Sequence, residues 1–111
     1  MTVTVKVLIP AKIAEATQVT QYTATGVTTI IDKFTATNYS ASAATISVNL
    51  VTASFTAGND NLITKTKTLQ PTEVYTFPEL VGQVLSPSAF ISTIAGTAPS
   101  INIRASGREV S

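Results

Sequence analysis

Residues 44–69 read ATISVNLVTASFTAGNDNLITKTKTL. Ile46, Val48 and Leu50 alternate with Thr45, Ser47 and Asn49, so apolar side chains take one face of a strand and polar groups the other. The strand is read over residues 44–55. Gly58-Asn59-Asp60-Asn61 then breaks the pattern, because Gly, Asn and Asp tolerate positive φ and the Asn and Asp side chains hydrogen-bond to nearby backbone. Alternation resumes over residues 62–69, with Ile63, Lys65, Lys67 and Leu69 against Leu62, Thr64, Thr66 and Thr68. Two lysines on one face suit an edge or solvent-facing strand. The stretch reads as a β-hairpin.

The same signature extends outward. Residues 101–110 carry Ile101, Ile103 and Ala105 on one face, and residues 89–95 set Phe90, Ser92 and Ile94 against Ile91 and Thr93. Residues 27–37 form a strand with two mixed faces, Ile30, Asp32, Phe34 and Ala36 against Val27, Thr29, Ile31, Lys33 and Thr35, so its inward side is left open. Residues 17–24 and 74–77 are further short strands, and residues 79–84 (ELVGQV) are read as one helical turn. At the start, residues 2–9 put Val3, Val5, Val7 and Ile9 on one face and Thr2, Thr4 and Lys6 on the other. Pro10 is expected to end this strand or confine it to an edge, with KIAEA (residues 12–16) a connecting turn. About eight short strands separated by turn signals predict an all-β antiparallel sandwich over residues 1–111, jelly-roll-like first and Ig-like as the alternative. Surface scaling gives about 5,800 Å² exposed for a folded chain of this mass.

Composition narrows the chemistry. Val, Ile and Thr make up 41 of 111 residues, and 20 Thr with 10 Ser supply a neutral wet face at a net charge of +1. With no His and no Cys, zinc and iron sites of the usual nitrogen or sulfur kind, imidazole acid-base catalysis and Ser-His-Asp or Cys-His nucleophiles are excluded. No catalytic residue, metal or cofactor is assigned. Scattered Lys and Arg give no field for nucleic acid. The N-terminus lacks the apolar core of a secretory signal, and no apolar run approaches the ~20 residues of a membrane span. The expectation is a soluble protein, or part of a soluble assembly, with no nucleic-acid, membrane or small-molecule partner.

Several residues are candidate sites. Asp32, Glu73 and Glu79 could in principle supply a carboxylate pair for glycoside hydrolysis, but surface pairing with Lys33, Lys65 or Lys67 is the simpler reading. Asn59, Asp60 and Asn61 offer oxygens for Ca²⁺ without the acidic spacing of an EF-hand. Asn38-Tyr39-Ser40 matches a glycosylation sequon and reads as a turn. Tyr22, Tyr39 and Tyr75 could form a sugar-stacking platform, the basis of a competing adhesin reading. The N-terminal strand, with Val3, Val5, Val7 and Ile9, either pairs within its own sandwich or completes a sheet in a neighbour, so these four residues are the candidate interaction strand. Asn59, Asp60 and Asn61 with Arg104 and Arg108 are the candidate interaction loop and end, and Gly107 permits a bulge that redirects the last strand.

The phrases KFTATNYSASAATISVNLV, TLQPTEVYTFPELVGQVLSPSAFIST and SINIRASGREVS, within residues 33–111, resemble the capsid decoration proteins, also called cement or staple proteins, of short-tailed bacteriophages. The resemblance implies a jelly-roll-like subunit on the outer surface of the virion, made in the host cytoplasm. It implies that the subunit pairs with a second copy and clamps neighbouring major capsid protein subunits against internal DNA pressure. A neck, tail or fibre component is the nearest alternative. No catalytic or cofactor residue comes with the resemblance, and residues 1–25 carry no part of it.

Overall fold

The structure, a computed structural model, describes residues 1–111. Nine strands form: β1 (Val3–Ile13), β2 (Val19–Thr23), β3 (Thr28–Asn38), β4 (Ala44–Val51), β5 (Leu62–Leu69), β6 (Val74–Tyr75), β7 (Val84–Leu85), β8 (Phe90–Ala95) and β9 (Ile101–Val110). All pairings are antiparallel. One sheet has the order β1-β9-β3-β6, with β7 also on β3, and the other has the order β2-β8-β4-β5. Each sheet interleaves early and late strands, and β6 and β7 act as one strand paired with β3 at both ends. This order is the double Greek key of a jelly roll.

Between the sheets lies one cluster of 21 buried apolar residues, built on Phe34, Phe77, Ile31, Ile46, Val48, Leu69, Leu80, Ile91, Ile101 and Ile103. The chain exposes 5644 Å². Phe77 packs edge-on to Phe34 at 4.8 Å and to Tyr75 at 4.6 Å between ring centroids. Phe77 and Leu80 reach the core from the excursion between β6 and β7, a run of tight turns and not the expected helical turn.

Bulges decide which side chains point inward. In β9 the period of two runs unbroken: Ile101, Ile103, Ala105 and Gly107 are all buried. Its neighbours each gain a residue. In β3, Ile31 pairs with Gly107 and Lys33 with Ser106, so Asp32 is extra. Thr29 and Ile31 therefore face the core before it, and Phe34, Ala36 and Asn38 after it. This phase change is why both faces of β3 look mixed in sequence. In β1, Val7 pairs with Ser106 and Ile9 with Ala105, which leaves Leu8 extra and buries both Leu8 and Ile9. In β5, Lys65 and Thr66 together oppose Ser47, with Thr66 at φ 46° and its N–H donating to the Ser47 hydroxyl at 2.8 Å.

These bulges correct several sequence expectations. Ile9 does not share a face with Val3, Val5 and Val7. Lys65 and Lys67 part company: Lys67 turns inward over the Tyr75 ring at 4.8 Å, while Lys65 stays exposed. The strand does not stop at Pro10 but continues to Ile13, accommodating the proline with a second irregularity on a free edge, where no ladder N–H is needed. Lys12 and Ile13 are thus strand, not turn. The bulge anticipated at Gly107 sits instead in the two strands flanking it, and β4 ends at Val51, short of Phe55.

Candidate interaction surface

β1 is the edge of its sheet, bonded only to β9. Thr2 and Ser111 exchange both backbone hydrogen bonds, at 2.8 and 2.9 Å. In an antiparallel ladder such doubly bonded pairs alternate with non-bonded ones. From the register, Thr4 with Glu109 and Lys6 with Gly107 are bonded pairs, whereas Val3, Val5 and Val7 stand opposite Val110, Arg108 and Ser106 as non-bonded pairs. The N–H and C=O groups of Val3, Val5 and Val7 therefore point away from β9, along the free edge.

The same three valines lie on the outer face of the sheet at 51%, 84% and 41% exposure. Their rows continue into Val110 and Thr28, into Arg108, Ile30 and Val84, and into Ser106 and Lys33. Val84, 56% exposed, ends the Val5 row on β7, beyond Arg108 and Ile30. Val3, Val5 and Val7 were legible as one face of the N-terminal strand. Ile30, Val84 and Val110 were not, because only the strand order brings them alongside. Residues 3–7 are also open on their inner side, since the facing strand β2 has five residues against eleven in β1.

Polar groups brace the edge from beneath. Lys6 pairs with Glu109 at 3.3 Å, Glu109 accepts from the Tyr22 hydroxyl at 2.5 Å, and that hydroxyl lies 2.6 Å from Thr29 Oγ1. Burial and the adjacent Glu109 carboxylate push the Tyr22 phenol up to about 12. The Tyr22 hydrogen bond, with Lys6, holds Glu109 below its ordinary value.

The expected loop-and-end site divides. Arg104 and Arg108 project from the outer face of β9. Arg108 makes a two-nitrogen contact with Asp32, Nη2 to Oδ1 at 2.8 Å and Nε to Oδ2 at 3.0 Å, which lowers the Asp32 pKa. Arg104 instead borders a shallow recess of about 200 Å³ with Lys33, Thr35 and Ser106. Asn59, Asp60 and Asn61 belong to the other sheet, in a 3-10 turn over β4. There Asn61 is structural: its Oδ1 accepts from Asn49 at 2.7 Å and from the Gly58 N–H at 3.0 Å, and its amide donates to Thr56 O.

The other candidates disperse. Asp32 serves Arg108. Glu73 accepts from the Gln70 N–H, and Glu79 lies between the sheets, accepting from Tyr75 at 2.7 Å and from Thr64. Burial works to raise the Glu79 carboxyl, but the hydrogen bonds from Thr64, its own backbone and Tyr75 outweigh it and hold it low. Tyr22 is buried and Tyr75 packs on Phe77, leaving Tyr39 exposed, so the three tyrosines form no common platform. Asn38 is fully buried and donates to Ser42 O and Leu69 O, tying the turn after β3 rather than presenting a glycan acceptor.

The fold and this edge define an antiparallel jelly-roll sandwich whose edge strand β1 carries exposed valines on its outer face. Comparison with protein-family models, curated proteins and solved structures finds no match.

Proposed function

We propose that this chain is a structural subunit that works by contact, binding the outside of a phage head and stapling neighbouring coat subunits. The free β1 edge carries the reading. A free strand edge with three exposed valines is a liability for a protein that remains solitary, and natural sheets cover or charge such edges. Here the exposed valines meet unused backbone donors and acceptors, the combination that strand addition uses. Coat protein and, away from this edge, a second copy of the chain are its partners in this reading. Many copies on a lattice turn modest contacts into avidity.

The test uses phage heads produced without this chain, to which purified protein is added before sedimentation and imaging. Saturable decoration at hundreds of surface positions, with greater resistance to heat or chelator, supports the reading. Binding at one vertex makes the chain a neck or tail part, and no binding to the particle removes the proposal. Deleting residues 1–9 is not a clean variant, because it also removes the buried Leu8 and Ile9. Val5→Lys leaves the core intact and is expected to abolish decoration.

A further inference from the structure

We infer that the occupant of the β1 edge is an extended segment of a different protein, bearing carboxylates beside a short apolar strand, and not a second copy of this chain. The inference rests on reading this edge as the contact surface. It does not depend on the partner being a coat protein.

The edge available for pairing is short. It runs from Val3 to Val7, about 13 Å of strand, before the Leu8 bulge and Pro10 interrupt it. A two-fold copy pairing about Val5 would join only these residues. It would bring the two Lys6 side chains to diagonal positions on one face, within about 8 Å, each already paired with its own Glu109, so the copy brings no unpaired carboxylate to the edge. Five paired residues a side fall well short of the roughly 20–30 a side of a standard interface.

Charge on the outer face points elsewhere. It carries Lys33, Arg104 and Arg108 against Asp32 alone, and Asp32 is taken by Arg108. Lys33 and Arg104 have no carboxylate in ion-pair range. They border the recess with the hydroxyls of Thr35 and Ser106, and Ser106 stands directly opposite Val7. Cations and hydroxyls around a concavity suit a carboxylate.

The recess lies on β9 and β3, so a strand added outside β1 sits two to three strand spacings, or about 10–14 Å, away. Roughly three or four extended residues span that distance. The partner therefore pairs along Val3 to Val7 and, at the Val7 end, crosses β1 beside Pro10 to place its carboxylates against Arg104 and Lys33. Antiparallel addition, the more stable arrangement, puts the acidic residues on the N-terminal side of the partner's strand.

The probe is a synthetic peptide, Glu-Glu-Gly-Ser-Gly-Thr-Val-Thr-Val-Thr, added to the ¹⁵N-labelled full chain while amide exchange is followed by NMR. In the free protein the Thr4 and Lys6 amides, bonded to β9, exchange slowly, and those of Val3, Val5 and Val7 exchange fast. The peptide is expected to slow the three valine amides. A Lys-Lys version is expected to bind about tenfold more weakly, from two lost ion pairs and the repulsion replacing them. Val5→Pro, which removes an edge N–H without removing a bond to β9, is expected to lose binding while Thr4 and Lys6 stay protected. Valine amides already protected in the free protein, with protection rising with its concentration, would make the occupant a second copy and overturn the inference. So would equal binding of both peptides, or valine amides that stay fast with peptide bound. Head sedimentation separates the two ideas: wild-type decoration that Val5→Pro leaves unchanged keeps the staple function and ends strand addition, whereas peptide protection without decoration does the reverse.

Discussion

Gly107→Ala tests the packing beneath the β1 edge. Gly107 is buried between Lys6 of β1 and Ile31 of β3. A methyl built on it overlaps the carbonyl oxygen of Ile30 and lies 3.0 Å from Leu8 Cδ1. Leu8 can shift, but the Ile30 oxygen is backbone in a central strand, so β3 and β9 must part locally. Overpacking of this kind costs about 1–3 kcal/mol. Weakening two ladder hydrogen bonds adds about 1 kcal/mol each, and a stiffer unfolded chain returns about 0.5 kcal/mol. The net loss is about 3 kcal/mol, which at a urea slope of about 1.5 kcal/mol per molar lowers the unfolding midpoint by about 2 M. Gly26→Ala is the control: its φ is +69° with no atom within 4 Å of the added carbon, so only the backbone term of about 1 kcal/mol applies. A midpoint shift for Gly107→Ala no larger than that of Gly26→Ala would refute the close approach of β3, β9 and Leu8.

Two further outcomes can be checked on the same material. Phe77→Ala removes a fully buried ring and two aromatic contacts and should cost about 3–5 kcal/mol in urea unfolding; a loss under about 1 kcal/mol would mean that the excursion does not seat in the core. The raised Tyr22 pKa makes folding sensitive to alkali: the stabilisation is complete below the unfolded value near 10 and disappears as pH rises toward about 12. Tyr22→Phe should therefore flatten stability over that interval and remove the phenolate absorbance that develops last in a titration, and an unchanged profile would contradict the Tyr22–Glu109 contact.

Legibility in the sequence followed the regularity of each strand. Ile101–Val110 matches its expected bounds because β9 has no bulge, and the inward set of β4 was visible in Ile46 and Val48. Failures cluster at inserted residues. One extra residue reverses the phase of a period-two pattern, so Leu8, Asp32 and Thr66 each made correct local alternation point the wrong way beyond them. The adjacent polar pair Asp32-Lys33 between apolar neighbours was the available hint in β3. For the surface, the three valines were visible within one strand. The recess of Lys33 and Arg104 required knowing that β9 lies between β1 and β3, and residues more than 70 positions apart are joined there only by topology.

The pairing of the first strand with the last, which places Lys6 against Glu109 at a separation of 103 residues, also sets a timetable. At roughly 5–20 residues per second of synthesis, β1 waits on the order of 5–20 s before its only neighbour exists. Until then β1 presents two unsatisfied edges instead of one. Closing so long a loop places the chain among the slower small folders, in the millisecond-to-second range. Yield in cells should then respond to translation rate and temperature more strongly than equilibrium stability alone implies.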